Sequence, residues 1–98
     1  MQAIINSNLN DTISEKVDYL LSAADSSTKN DVENSIVALG AKAVNALIDK
    51  LGTLKGLQRG IVAMSLIRIG ESAIAPLKAY AMEHTENQWM ADYLLSEI

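Results

Sequence analysis

A chain of 98 residues makes one domain, long enough to bury roughly 60 to 65% of the surface its unfolded form exposes and too short for two separate cores. Hydrophobic residues make up 49% of it, with no Phe, one Trp and three Tyr, so the core must be built from Ala, Val, Leu and Ile; long β-branched and aromatic runs are missing, and an all-α chain without a sheet is expected. The net charge of −4 and the absence of cysteine exclude disulfides and thiolate metal sites and disfavour a phosphate-backbone partner.

Residues 1–10 carry Ala3, Ile4, Ile5 and Leu9 among Asn and Ser, too irregular to assign beyond a short helix or an arm lying on the first hairpin. With no basic n-region and no continuous apolar h-region they are not a secretory signal, and the apolar runs of the chain are far short of a membrane span. A cytoplasmic setting and no membrane partner are expected.

Thr12 and Glu15 match a capping box, and Ile13, Val17, Leu20, Leu21 and Ala24 then form one apolar face. This predicts an N-terminal capping helix over residues 11–25, closed by Asp25, Ser26 and Ser27. Ser27 or Thr28 caps the next helix, which has Asp31 and Glu33 in its first turn, a stripe of Val32, Ile36 and Leu39, and Gly40 as its stop. Val44, Leu47, Ile48 and Leu51 mark a third helix before Gly52. These two helices form a hairpin over residues 28–52.

The next hairpin, over residues 56–82, holds the most apolar stretch. Val62, Ala63, Leu66 and Ile69 share a face, and Ile61, Met64 and Ile67 cover much of the remainder; a helix this apolar belongs in the middle of the molecule with neighbours before and after it. Gly70 ends the helix. Pro76 fits only an early helical turn, so the following helix, with Ile74, Leu77 and Ala81, starts near Ala73. Arg59, at a helix start, suits planar pairing with carbonyls or a carboxylate that links hairpins, and Arg68 complements the helix dipole.

A half-repeat over residues 85–98 follows, with Thr85 to Gln88 as another capping-box match and Ala91, Leu94, Leu95 and Ile98 as the inner face. All eight Lys and Arg lie at or before Lys78, whereas Glu83, Glu86, Asp92 and Glu97 stand beyond it without one. Three of the four aromatics fall here as well: Tyr80, Trp89 and Tyr93, together with Met82 and Met90. Trp89 and Tyr93 are i, i+4 neighbours beside the inner stripe. Two readings stay open: they fold back to close the helical stack, or with Tyr80, Met82, Glu83, Glu86, Met90 and Asp92 they form an interface for a homodimer or a partner with a basic rim.

Leu39 to Leu47 superimposes on Ile69 to Leu77 with a constant offset of 30 residues, matching the helix end, the glycines Gly40 and Gly70, an alanine and two apolar positions. Two helices per 30 residues is the signature of a solenoid, in which each hairpin buries its inner face only against the next. The pattern of Arg59, Val62, Ala63, Ser65, Leu66, Ile69, Gly70, Ala73, Ile74, Pro76 and Leu77 resembles the HEAT-like repeats of the type found in phycobilisome lyases, over roughly residues 28–98. The Asp that such repeats usually carry before the Arg helix is missing between Gly52 and Leu57. The resemblance implies a short α-α superhelix, a right-handed solenoid of about six helices, whose common use is holding another protein; it transfers no catalytic residue.

The single His84 has no cysteine beside it, and Glu83 and Glu86 sit in a linker where side chains diverge, so neither a metal site nor a general base is expected. The glycines lie at helix ends and form no phosphate-cradling loop. The chain is thus read as a non-catalytic protein-binding module without cofactor, using the C-terminal face or the concave surface of the second helices at Asn45, Asp49 and Lys78. An acidic inhibitor or immunity-type protein masking a basic enzyme is the alternative, and an auxiliary lyase-like subunit comes third.

Overall fold

The computed structural model describes residues 9–98, with side chains from Thr12 onward, so of the short helix or arm expected over residues 1–10 all but the last two residues lie outside the described residues. Six α-helices follow one another: α1 (Leu9–Ser22), α2 (Lys29–Val37), α3 (Val44–Leu51), α4 (Gly56–Ile69), α5 (Ile74–Glu83) and α6 (Gln88–Glu97). Short 3₁₀ turns at Gly40–Ala43, Gly70–Ala73 and Thr85–Asn87 lead into α3, α5 and α6. No strand occurs among the described residues. The protein is all-α.

Buried positions recur every 30 residues. Val17, Leu47 and Leu77 are fully buried on α1, α3 and α5, and Leu21, Leu51 and Ala81 recur one turn later. Val32 and Ile36 on α2 return as Val62 and Leu66 on α4, while Ala43 and Ala73 hold the same place before α3 and α5. The turns repeat too. Gly40 has φ +66° and Gly70 φ +85°, values that side chains with a Cβ rarely adopt, so glycine is needed at both corners. The main packing follows: α1 lies on α2 and α3, α2 on α4, α3 on α4 and α5, α4 on α6, and α5 on α6.

Local chemistry explains the remaining boundaries and several departures from expectation. α1 begins at Leu9, so Thr12 is inside the helix and no capping box forms there. Thr28 flanks α2 without capping it through its side chain. Asp25 orders the linker that leads into α2: its Oδ1 accepts from the backbone N–H of Ser27 at 2.8 Å and of Thr28 at 2.9 Å, and from the Ser27 hydroxyl at 2.7 Å. These donors, the Ser27 hydroxyl first, hold the Asp25 carboxyl below the usual carboxylate range. Thr85 likewise opens a 3₁₀ turn and supplies no capping bond to α6.

α4 is central, as its composition demands, yet not covered all round: Met64 faces solvent, while Ile61, Val62, Ser65 and Leu66 are buried. Arg68 does more than complement a dipole. Its Nη1 donates to Glu33 Oε2 at 2.8 Å and to Asn34 Oδ1 at 2.9 Å, tying α4 to α2. Among the described residues Arg59 has no salt-bridge partner, so the ion pair between these helices is made by Arg68. An 18-residue stretch within the helical run Gly56–Glu83 has a mean hydropathy of 1.4, and the run is long and apolar enough to cross a membrane by length and composition. Its backbone leaves helical geometry at Gly70 (φ +85°, ψ −129°), and Ile61, Val62, Leu66, Ala73 and Leu77 belong to the core.

Candidate functional site

The eight residues proposed as an interface divide into two groups. Tyr80 and Met90 are core residues, which corrects the expectation for both. Tyr80 is held by its hydroxyl, which accepts from Asn87 Nδ2 at 3.0 Å, and by its ring, which stacks on His84 with centroids 4.6 Å apart. Gly52, at the end of α3, makes room for this arrangement: a Cβ there would stand 3.1 Å from the Tyr80 hydroxyl and 3.2 Å from Asn87 Nδ2. Met90 turns inward because α6 packs on α4 as well as α5, which widens its buried face to Met90, Ala91 and Leu94.

The other six are on the surface. Met82 is 82% exposed, Trp89 64% and Tyr93 58%, and Glu83, Glu86 and Asp92 are exposed with them. Trp89 and Tyr93 therefore do not fold back to close the core. The burial pattern of α6 repeats that of α4 at an offset of 29, Ile61, Val62 and Ser65 returning as Met90, Ala91 and Leu94. That register puts Tyr93 at the place of the exposed Met64, and Trp89 at the place of Gly60. Aromatic side chains thus occupy the outward row of the last helix, with Glu86 and Asp92 within one turn of Trp89.

A second feature lies between α3 and α5. Buried Ile48 and Tyr80, half-buried Pro76 and exposed Ala79 line an open groove of about 240 Å³ together with the exposed polar residues Asn45, Asp49, Glu83 and His84. Asn45 and Asp49 are where the concave surface was expected; Lys78 is not among the lining residues. His84 Nδ1 lies 3.6 Å from Glu86 Oε2, so these two side chains meet in the linker instead of diverging. Among the described residues no three His, Cys, Asp or Glu side chains converge as a metal site would need.

Comparison with known protein families, with characterised proteins and with solved structures finds no match. Two contacts of the fold are out of reach of sequence periodicity. The packing of Tyr80 against Gly52 joins residues 28 positions apart in the chain, and the Arg68–Glu33 pair joins residues 35 apart.

Proposed function

We propose that this chain is a short stack of HEAT-like hairpins, an α-α superhelix that works as a non-catalytic protein-binding module through its C-terminal hairpin. The stack is supported by the 30-residue recurrence of buried positions, by the matching glycine corners, and by packing between helices that are adjacent or next-but-one along the chain. α1 fits this scheme as the second helix of a preceding repeat, since Val17 and Leu21 stand where Leu47 and Leu51 stand on α3.

The observation that carries the binding role is the exposure of Trp89 and Tyr93 side by side on α6. Trp and Tyr are enriched at interface centres, where rigid rings bury much area at low entropic cost. The rim favours a basic partner over a second copy of the chain: beyond Lys78 there are four acids and no Lys or Arg, and a two-fold contact on this face would bring like charges together. The same charge supports the inhibitor reading, in which the masked surface belongs to a basic enzyme. A lyase-like auxiliary role has only the sequence resemblance behind it.

Photo-cross-linking in the cells of origin tests the binding face. A benzophenone side chain at position 89 or 93 is expected to yield a discrete adduct with another protein, lost with Glu86→Gln and Asp92→Asn together. The same probe at Tyr19, exposed on α1, should not give that adduct. Equal adducts from position 19, or none from 89 and 93, would refute the assignment.

A further inference from the structure

The groove between α3 and α5 has a chemistry that the aromatic face of α6 does not use. At about 240 Å³ it falls below the ~300–1,000 Å³ of sites that enclose small molecules, and suits one long side chain. Asp49 from α3 and Glu83 from α5 stand at its edge, and among the described residues neither has a salt-bridge partner. No cation lines it. With the carboxylates, Ile48, Pro76 and Ala79 line it, as do the paired rings of Tyr80 and His84, tilted by 30° with centroids 4.6 Å apart.

The preceding interval of the fold shows what such a place holds. Between α1 and α3, Lys50 forms an ion pair with Asp18, and its side chain is mostly buried while Asp18 remains exposed. Thirty residues on, the position of Lys50 is taken by Tyr80 and that of Asp18 by Ile48. The chain thus supplies its own cation to the first interval and none to the second, where two carboxylates stand instead.

We propose that the α3–α5 groove receives the side chain of an arginine presented by an extended segment of a partner protein. The methylenes lie along Ile48, Pro76 and Ala79, the guanidinium reaches Asp49 and Glu83, and its flat face meets the Tyr80–His84 pair. Arginine fits better than lysine because a planar, delocalised cation can serve two carboxylates and stack on a ring, whereas an ammonium is a strongly hydrated point charge. A metal ion would need a group of at least three His, Cys, Asp or Glu side chains, and none occurs among the described residues.

The test is a titration of the full ¹⁵N-labelled chain, at low salt to limit screening, with acetyl-Gly-Gly-Arg-Gly-Gly-amide and with its lysine and citrulline counterparts. Saturable shifts are expected at the amides of Asp49, Ala79, Glu83 and His84, strongest with arginine and absent with citrulline, which keeps the shape without the charge. Asp49→Asn and Glu83→Gln, both at exposed positions, should each weaken binding about fivefold, the upper end for a solvent-exposed ion pair. Unchanged circular dichroism would show that the variants stay folded. Equal binding of citrulline or lysine, no saturable shift in the millimolar range, or shifts confined to residues around Trp89 and Tyr93 would each overturn the proposal. A response of the same amides to calcium chloride alone that displaces the peptide would overturn it in favour of a metal site.

Discussion

Replacing Ser65 by alanine should stabilise the protein. Ser65 is fully buried on α4, and its hydroxyl has no hydrogen-bond partner. An orphaned buried hydroxyl costs about 1–3 kcal/mol, and alanine in a helix interior adds about 0.5 kcal/mol over serine. Removing the oxygen leaves a void near the size of one water probe, ~10–15 Å³, and at ~24 cal/mol per Å³ that costs about 0.3 kcal/mol. The net expectation is a gain of about 1–3 kcal/mol. The control lies within the same chain. Ser35 stands 30 residues earlier at the matching place on α2 and is exposed, so Ser35→Ala should gain only the propensity, about 0.5 kcal/mol. Urea melts followed by circular dichroism would read both, and the thermal midpoint should rise ~4–8 °C per kcal/mol for a domain of this size. Loss of stability in Ser65→Ala, or equal gains at the two sites, would refute the argument that an unpaired hydroxyl sits in the core.

Three further outcomes follow from local geometry. Gly70→Ala should destabilise by about 1–3 kcal/mol because φ is +85° there, whereas Gly60→Ala, inside α4 with open space around its Cα, should stabilise by about 1 kcal/mol; paired thermal melts check both. A double-mutant cycle of Arg68→Ala and Glu33→Ala should give a coupling of about 0.5–1 kcal/mol, modest because the Arg68 side chain is 41% exposed, and it should shrink in molar salt. The Asp25 carboxyl is held below its ordinary range, so it stabilises the fold above the unfolded-state value and loses that contribution as pH falls through the lower, folded value. The gap in thermal midpoint between the native chain and Asp25→Ala should therefore be constant above about pH 5 and close below about pH 4, and a gap that widens in acid would contradict the hydrogen bonds that Asp25 accepts in the linker.

Much of the helical scaffold is written in short-range patterns. Gly40 and Gly70, with the apolar positions that follow each, identify two helix pairs and their spacing, because a positive φ and a 3.6-residue period are local requirements. Capping boxes proved less informative. Thr12 and Glu15 have the right spacing, but Leu9 to Asp11 carry the helix further upstream, so the same four letters fall within α1. On α6 the expected stripe of Ala91, Leu94, Leu95 and Ile98 is rotated toward Met90, with Ile98 at the surface; two helices cover α6, and one periodic stripe cannot say from which sides. Periodicity left Trp89 and Tyr93 undecided between core and surface for the same reason. The Asp49 and Glu83 edge of the groove needs two helices placed side by side, which residue spacing along either one does not contain.

The nearest-neighbour packing of the helices has a kinetic meaning. Each principal contact joins elements adjacent or next-but-one along the chain, so every docking event closes only a short loop and none waits for distant segments to find each other. Folding of such a chain belongs to the fast, low-contact-order class. α3 and α4, each touched by three other helices, should keep their amide protons longest in hydrogen exchange, while α1 and α6, the first and last helices, each lie on only two helices among the described residues and open first.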